Sequence, residues 1–440
     1  MKIFTYPSKT AEKKISSIIN RNLTFKKKDI AEVTKIIDSV KKKGDTALIE
    51  YVNRFDAPHL TIEELQVSSR ELKAALGHVE GSFLRALNRA ARQITTFHQQ
   101  QLQRSWIDTR RAGTILGQMI TPVDTVGLYV PGGTGGQTPL VSTVLMGAIP
   151  ARVAGVNRIV MATPPRRDGT VIPHLLVAAK KAGVTEIYKI GSAWAIGAMA
   201  FGTRTIPKAD MIVGPGNIYV ALAKRIVAGA VGIDMFAGPS EILIVADTTA
   251  IPRFIAADLL SQAEHDPLSS AILVTDSIEV ATAVESAIDS QLKQLPRGDI
   301  ARKSIASYGA IFTVPDLECA LELANRIAPE HLELQIKDPF ACIGRIRNAG
   351  AIFLGNYTPE SIGDYMAGPN HVLPTGGTAR FASALSVDHF VKKTSLIHYT
   401  YDAFKREASD TACLARIEGL DAHAMAVQIR IGAPKKQDSV

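Results

Sequence analysis

The feature that constrains the fold most is a regular alternation of short apolar strands and helices that begins at Thr125. Apolar runs such as residues 126–130 and 158–162 are each followed by a helical pattern and then by another short apolar run. Strands separated by a helix usually return in parallel, so the alternation predicts doubly wound sheets. The expected class is α/β, with two Rossmann-like doubly wound domains and small helical segments at both ends of the chain.

A short glycine- and proline-containing segment divides this alternation of strands and helices into two series. Strands at 126–130, 158–162, 186–190 and 211–213 form the first, and strands at 242–246, 271–275, 310–314, 332–334 and 351–354 form the second, with Gly238-Pro239-Ser240 between them. Four regions follow: a helical segment over 1–124 that packs on the second α/β domain, a first α/β domain over 125–239, a second over 240–385, and a helical segment over 386–440.

Composition limits the possible partners. The 440 residues carry a net charge of +8, which is compatible with an acidic partner. The basic residues are dispersed, however, and the runs Lys26–Lys28 and Lys41–Lys43 flank an amphipathic helix, as solvated helix faces do. No cluster of base-stacking aromatic residues accompanies them, so we expect no nucleic-acid partner. The basic tail Lys435–Val440 is expected to be mobile.

The compartment is predicted from cysteines and hydropathy. Cys319, Cys342 and Cys413 are isolated, which fits a reducing environment. The N-terminus has no apolar signal region, and the longest apolar run, residues 139–156, is broken by Pro150 and Arg152. We therefore expect a cytoplasmic protein without a membrane partner.

Two glycine-rich loops follow strands of the first series, Pro131–Gly136 and Gly214–Asn217. Ligands of parallel sheets bind beyond the carboxyl ends of strands, where glycine permits a close backbone approach and helix N-termini favour anions. Neither loop has the G-x-G-x-x-G spacing, and simple turns also use glycine. Two such loops in one domain nevertheless favour a dinucleotide or phosphate site.

Polar groups crowd the end of an apolar helix in AADLLSQAEHDP, residues 256–267. Gln262 and His265 are three residues apart, so both can point at one object, such as a metal ion. Zinc takes about four ligands, and others would come from downstream. The candidates are Glu330, His331, Asp364, His371 and His423. The alternative, which spacing alone favours, is that Gln262 and His265 merely cap a helix ending at Asp266-Pro267.

Glu330 and His331 are adjacent and form a candidate acid–base pair. If the backbone turns here so that both side chains enter one cleft, one can act as the general base and the other can shuttle protons. The alternative is an exposed glutamate beside a hydrogen-bonded histidine, and the dipeptide alone does not decide between the two.

Taken together, these segments resemble the histidinol dehydrogenase family over nearly the whole chain. The resemblance is carried by YVPGG at 129–133, IPARVAG at 149–155, IPKADMIVGPGNIYV at 206–220, GIDMFAGPSEI at 232–242, LLSQAEHDP at 259–267, APEHLEL at 328–334, the segment 348–354, GPNHVLPTGGT at 368–378 and EGLDAHA at 418–424. An ordered set of long motifs is far more specific than any of its members.

The resemblance implies a site and its cofactors. One Zn²⁺ per subunit would be held by Gln262, His265, Asp364 and His423, and Glu330 and His331 would be catalytic. The substrate would be bound by Ser240, Gln262, His265, His331, Asp364, His371, Glu418 and His423. Tyr129 and Asn217 would contact NAD. The family is homodimeric, and the C-terminal segment of one subunit would bring Glu418 and His423 to the site of the other.

The implied reaction is the four-electron oxidation of L-histidinol to L-histidine through histidinal, with two NAD, at the end of histidine biosynthesis. A related zinc- and NAD-dependent dehydrogenase of another small polar alcohol is the nearest alternative. A non-catalytic protein that binds metal or nucleic acid is a third, which the intact Glu330-His331 pair beside a full ligand set argues against.

Two places depart from the family pattern, and both concern the cofactor. The loop over residues 134–143 is longer than usual, and Gly191-Ser192-Ala193-Trp194 stands where a nucleotide-contacting glutamine is usual. An indole can stack on a nucleotide where an amide would donate a hydrogen bond. We therefore predict that Trp194 contacts NAD by stacking.

Overall fold

Two parallel sheets organise the larger part of the molecule. The structure is a computed structural model that describes residues 1–21, 26–132, 138–235 and 238–431. The chain divides into two units, one of Met1–Gln101 with Val123–Phe390 and one of Leu102–Pro122 with Val391–Val440. We call the second of these the small unit. Both sheets lie in the larger unit, and the α/β class is confirmed.

The N-terminal region consists mainly of helices. In chain order the elements are β1 (Ile3–Thr5), α1 (Lys9–Ile19), α2 (Lys27–Lys43), α3 (Asp45–Phe55), α4 (Ser69–Ala75), α5 (Gly81–Gln99), β2 (Trp106–Asp108) and β3 (Thr114–Pro122). Local sequence sets several of these boundaries. Ser68 and Glu71, for example, form a reciprocal capping box at the start of α4.

The first lobe is the five-stranded parallel sheet with the helices that connect its strands. Its elements are β4 (Thr125–Tyr129), α6 (Val141–Val153), β5 (Arg158–Thr163), α7 (Pro173–Ala182), β6 (Glu186–Lys189), α8 (Ser192–Phe201), β7 (Met211–Val213), α9 (Ile218–Val227) and β8 (Gly232–Ile233). The strand order is β6-β5-β4-β7-β8. Successive strands are added on one side of β4 (β5, β6) and then on its other side (β7, β8), which makes the sheet doubly wound, as predicted.

The second lobe is a six-stranded parallel sheet of order β1-β11-β10-β9-β12-β13 with its helices. Its remaining elements are β9 (Glu241–Ala246), α10 (Pro252–Ala263), β10 (Ser270–Thr275), α11 (Ile278–Gln291), α12 (Gly298–Tyr308), β11 (Ala310–Thr313), α13 (Leu317–Ile327), β12 (His331–Gln335), β13 (Ala351–Leu354) and the short α14 (Glu360–Ile362). A π-helical turn over Gly363–Ala367 follows α14 and carries Asp364.

The prediction that the segment over 1–124 packs on the second α/β domain is wrong for most of its helices. β1 and α1 pack on the second lobe, β1 by pairing with β11. The cores of α2 to α5 pack on the first lobe, and α5 also contacts the π-helical turn of the second. The reason lies in α6 and α8, whose sequences VSTVLMGAIPARV and SAWAIGAMAF are apolar on every side. A helix of that kind needs cover on both faces. The sheet covers one face, and the N-terminal helices cover the other.

The small unit corrects a second prediction, because the C-terminal segment is not purely helical. Its C-terminal elements are β14 (Val391–Tyr399), α15 (Tyr401–Ile417) and α16 (Asp421–Ile431). β14 pairs antiparallel with β3 along its whole length, and β2 completes a three-stranded sheet.

The predicted mobile tail at Lys435–Val440 lies outside the described residues. In the described ranges no helix is long and apolar enough to cross a membrane.

Candidate active site

A cavity of about 330 Å³ lies between the first and second lobes within the larger unit. The first lobe contributes the start of α6 and the loop after β7. The second lobe contributes the beginnings of β9 and β12 and the segment after α10. The structure brings six predicted side chains together in its wall: Ser240, His265, Glu330, His331, Asp364 and His371.

His331 begins β12 and is only 3 % exposed. Its Nδ1 lies 3.0 Å from the carbonyl oxygen of Glu241, which can only accept, so Nδ1 carries the proton and Nε2 has a free lone pair. Nε2 has no hydrogen-bond partner among the described residues. Burial lowers the pKa of His331 to about 4. The imidazole is therefore a neutral base with its acceptor nitrogen available.

Glu330 is also buried, so the alternative of an exposed glutamate is wrong. Its Oε2 accepts a hydrogen bond of 2.9 Å from the backbone N–H of Glu241. Burial raises the pKa of Glu330 well above its ordinary value, and the nearby charges of Glu241 and Asp364 add to the effect. A carboxyl group with a raised pKa can take and return a proton near neutral pH.

Gln262 occupies the last turn of α10 and is fully buried. In the amide orientation that satisfies its surroundings, its nitrogen donates to the carboxylate of Glu360, with both oxygens 2.8 Å away. The side chain is therefore engaged with a carboxylate, which argues against the helix-capping alternative. The chain forms a turn directly after Gln262, in which the backbone N–H of His265 donates to the carbonyl of Gln262 at 3.2 Å.

Glu360 is a site residue that the sequence analysis missed. It lies 3.7 Å from His331 Nε2, and Asp364 lies 4.0 Å from the same atom. Each of these three residues offers one potential ligand atom, and the three atoms lie within 4.8 Å of one another. The available signal was the spacing in ESIGD, which places Glu360 and Asp364 four residues apart.

The electrostatics of this acidic group favour a cation. Burial raises the pKa of Asp364 to about 7. Burial, and then the charges of Asp364 and Glu330, raises the pKa of Glu360 well above its ordinary value. A divalent ion would offset the cost of burying these carboxylates and the repulsion between them. Gln262, His265 and Asp364 supply oxygen and imidazole donors of the type that zinc accepts.

Trp194 is not available for the predicted stacking on a nucleotide. Its indole is 5 % exposed and belongs to the core of the first lobe. It stacks with Tyr51 and Phe55 of α3, with ring centroids 5.6 and 5.5 Å away. The prediction that Trp194 stacks on NAD is therefore wrong, because α8 needs the cover that α3 provides.

Tyr129 and Asn217 flank the second glycine-rich loop. Tyr129 ends β4 and is 4 % exposed, and its hydroxyl accepts the backbone N–H of Ser192 at 3.1 Å. Asn217 is exposed, and its Oδ1 caps α9 by accepting from the backbone of Tyr219 at 3.0 Å and of Val220 at 3.2 Å. Because Oδ1 is engaged in capping, only the Nδ2 of Asn217 can serve a ligand.

The loop over Gly214–Asn217 is held firmly in place. Gly214 has a φ of +113°, and a Cβ there would lie 2.1 Å from the carbonyl oxygen of Tyr129, so only glycine fits. Lys224 donates to the Gly214 carbonyl at 3.0 Å and pairs with Asp234. Asp234 in turn accepts the Gly214 N–H at 2.8 Å. Residues 133–136 of the other predicted loop, Pro131–Gly136, lie outside the described residues, and so do residues 134–137 of the longer loop at 134–143.

Glu418 and His423 lie in the small unit. Glu418 caps the C-terminus of α15, His423 lies in the first turn of α16, and both are exposed. They are thus carried by a different unit from the other predicted site residues.

Comparisons of the sequence with known proteins identify one family. The family model described as histidinol dehydrogenase matches residues 19–431. A histidinol dehydrogenase from Desulfotalea psychrophila is 54 % identical over 417 residues, which is 95 % of this chain and 96 % of the relative. One from Nitratidesulfovibrio vulgaris is 56 % identical over 398 residues, covering 90 % and 91 %.

A solved structure agrees with the sequence relatives. The crystal structure of histidinol dehydrogenase from Elizabethkingia anophelis superposes with a TM-score of 0.91 at 39 % identity, covering 98 % of each chain. Sequence and fold agree over almost the full length of the chain. The chain belongs to the histidinol dehydrogenase family.

Proposed function

We propose that this chain oxidises L-histidinol to L-histidine through histidinal, in two NAD-dependent hydride transfers, in the cavity between the lobes. Family membership supports the substrate and the electron acceptor. The observation that carries the mechanism is the buried pair Glu330 and His331 in the cavity wall, with His331 Nε2 free to accept a proton. We assign the NAD-binding role to the domain over 125–239 and the catalytic role to the domain over 240–385.

His331 acts as base in the first oxidation. A primary alcohol must lose its hydroxyl proton as hydride leaves its carbon for the nicotinamide. His331 Nε2 is the neutral acceptor for that proton, since the Nδ1 proton is committed to the carbonyl of Glu241. The imidazolium that forms lies next to the carboxylates of Glu360 and Asp364, which stabilise its charge.

Glu330 acts in the second oxidation. The aldehyde has to add water before it can give up a second hydride, and the attacking water must lose a proton. Glu330 takes that proton, because burial gives it a raised pKa and because the N–H of Glu241 fixes one of its oxygens. The imidazolium of His331 gives its proton to the former carbonyl oxygen as water adds, and the neutral imidazole then accepts a proton again when the hydrate is oxidised.

The buried acidic group fits a divalent cation, and we propose Zn²⁺ held by Gln262, His265 and Asp364, with His423 from the small unit of a partner subunit. When bound, the ion would act as a Lewis acid that accepts nitrogen lone pairs from the amino and imidazole groups of the substrate. Ser240 and His371 line the same wall, and with Glu418 they complete substrate binding. Several simultaneous contacts would keep the reactive aldehyde bound between the two steps.

NAD binding is proposed at the first lobe. The loop over Gly214–Asn217 precedes α9, and the N-terminus of a helix favours a pyrophosphate. Tyr129 and Asn217 are the proposed contacts there, with the Nδ2 of Asn217 as the available donor. Trp194 is left out of this set because its ring stacks with Tyr51 and Phe55 of α3.

A homodimer with shared sites is proposed from the surface of the small unit. Large apolar side chains surround Glu418 and His423 on α15 and α16, and all are exposed: Leu414, Ile417, Leu420, Met425 and Ile429. Exposed large apolar side chains concentrated on two adjoining helices are typical of an interface. An isologous interface over it would carry Glu418 and His423 to a partner subunit.

A cytoplasmic location is proposed as well. Cys319, Cys342 and Cys413 are all free thiols in the structure, which suits a reducing compartment.

The deciding experiment measures NADH formation from L-histidinol by the purified, zinc-loaded protein, with histidine quantified at the end. We expect two NADH per histidine, loss of activity with a chelator and recovery with zinc. Turnover that a chelator does not affect would refute the metal assignment. Absence of turnover by a protein that holds one zinc per subunit would refute histidinol as the substrate and direct the search to other small polar alcohols.

A further inference from the structure

Glu241 contacts both catalytic residues through its main chain. It begins β9, beside β12 in the sheet, and is 4 % exposed. Its N–H donates to Glu330 Oε2 at 2.9 Å, and its carbonyl accepts the Nδ1 proton of His331 at 3.0 Å. One peptide segment therefore sets both the position of the carboxylate and the tautomer of the imidazole.

The side chain of Glu241 holds the same pair from the other direction. Its Oε2 accepts the backbone N–H of Glu330 at 3.3 Å. Its Oε1 accepts from Arg21 Nη2 at 2.7 Å and from the backbone N–H of Gly376 at 3.0 Å. Glu241 thus joins β12, the loop after Pro374 and the N-terminal region of the chain.

Arg21 extends this network to the other segments of the site. It follows α1 and is 8 % exposed. Besides Glu241, it donates to the carbonyls of Ile18 at 2.7 Å, Leu268 at 3.1 Å and Pro239 at 3.5 Å. Leu268 closely follows His265 in the chain, and Pro239 directly precedes Ser240. One guanidinium therefore fixes the backbone on both sides of the substrate-binding wall.

A gain in net stability does not by itself explain why the ion pair of Arg21 and Glu241 is buried. Burying two charges costs desolvation free energy that their attraction recovers only partly, and apolar replacements are often as stable. Planar, multidentate arginine is suited to fixing geometry instead. Every bond of this network ends on the catalytic pair or on a segment that carries a site residue, apart from the bond to Ile18.

We propose that the buried ion pair of Arg21 and Glu241 is the positioning element of the reaction, which holds Glu330 and His331 at the distance and orientation that proton transfer requires. The inference rests on the proposed function of Glu330 and His331. Neither Arg21 nor Glu241 touches the reacting atoms. Their effect is transmitted through the hydrogen bonds to Glu330, His331 and the adjoining backbone. Displacements near 1 Å lower rates by about 100-fold.

The test compares Glu241→Gln, Arg21→Gln and the double variant with the parent enzyme, at saturating L-histidinol and NAD. We expect kcat to fall by about 100-fold in each single variant, while KM for histidinol and the zinc content stay within about twofold. The double variant should be no slower than the slower single variant, because the two residues act as one unit. Arg21→Lys keeps the charge and so remains informative if a glutamine variant does not fold; we expect about a tenfold fall in its kcat.

Glu12→Gln is the matched control. Glu12 also ties α1 to the second lobe, through a pair with Arg326 at 2.6 Å, but it contacts neither Glu241 nor the catalytic residues. It should leave kcat unchanged. A folded Glu241→Gln or Arg21→Lys variant with the parent kcat would overturn the inference, as would a rise in KM at constant kcat. Failure of the parent to oxidise histidinol would instead refute the proposed function.

Discussion

The two lobes share a parallel architecture, yet they turn opposite edges toward the cavity. In the first lobe the lining loop over Gly214–Asn217 follows β7, at the carboxyl edge of the sheet. In the second lobe Ser240 and His331 stand where β9 and β12 begin, at the amino edge. The rule that ligands bind at the carboxyl ends of strands therefore describes only one half of this site.

The edges differ in charge as well as in direction. The first lobe presents the N-termini of α6 and α9, where the positive ends of the helix dipoles favour anions. The second lobe presents the C-terminus of α10, near Gln262 and His265, together with buried carboxylates. Helix C-termini and carboxylates favour cations. The comparison suggests a division in which the first lobe holds an anionic cofactor and the second holds the metal and performs proton transfer.

The strongest challenge to this division is Glu330→Gln. We expect aldehyde oxidation to fall by about 10²- to 10⁴-fold, because a general base is lost from the second step, and alcohol oxidation to fall less. Zinc content and KM for NAD should not change. Single-turnover NADH formation from histidinal and from histidinol separates the two steps. Equal losses in both would remove the water-activating role from Glu330.

His265→Asn tests whether the amino edge of the second lobe binds the metal. Loss of one ligand should lower bound zinc and activity together, since an open coordination shell releases the ion. His78→Asn, at an exposed position on the first-lobe side, is the control and should keep both. Metal analysis of the purified variants gives the answer. Unchanged zinc in His265→Asn would contradict the ligand assignment.

Trp194→Ala sharpens the description of the first lobe. The indole is buried between helices, so its removal should lower the free energy of unfolding by about 3–5 kcal/mol. Trp106→Ala, at a residue 52 % exposed, should cost much less. Denaturant midpoints measure both. For KM the better variant is Trp194→Phe, which keeps a ring in the core and should leave KM for NAD within about twofold. A large rise in that KM would restore a direct cofactor contact.

The smallest expected effect concerns Asp56, which follows α3 in the first-lobe core region. Burial raises the pKa of its carboxyl to about 7, above the ordinary value of 3.8. The folded state therefore retains a proton that the unfolded chain loses between these values. The stability that Asp56 contributes is present below about pH 4 and is lost as pH rises through 7.

Asp56→Asn should remove this dependence. Its Tm should match that of the parent near pH 4 and exceed it by roughly a few degrees at pH 8. Asp38→Asn, on the exposed face of α2, should show no such trend. A Tm difference that does not change between pH 4 and pH 8 would show that Asp56 is not titrating in the folded state.

Much of the fold could be predicted because its signals are local. The strands at 211–213 and 351–354 were placed correctly from apolar runs and the glycine and proline residues around them. β1 and β14 were missed because their stability comes from distant partners, β11 and β3. The location of the N-terminal helices was missed for a different reason. The sequences of α6 and α8 show that α6 and α8 must be covered on both faces, but they do not show which segment of the chain covers them.

The site was predictable to the extent that its residues lie in distinctive motifs. Glu330, His331 and Asp364 were placed through the family resemblance, and the structure brings them together. Glu360 could have been found from its spacing to Asp364. Arg21 and Glu241 could not, because they are 220 residues apart and no local pattern marks an arginine that will be buried against a carboxylate.

The pairing of β3 with β14 imposes an order on biosynthesis. Residues 123–390, which are 268 of the 369 residues of the larger unit, are translated between these two strands. At ribosomal rates of about 5–20 residues per second, β3 waits on the order of 10–60 s for its partner. During that interval it has an open edge, with Ile115 and Met119 on its surface, which is the kind of strand that invites association between nascent chains. Translation that stops before Val391 would leave the larger unit with its core complete and this strand permanently unpaired.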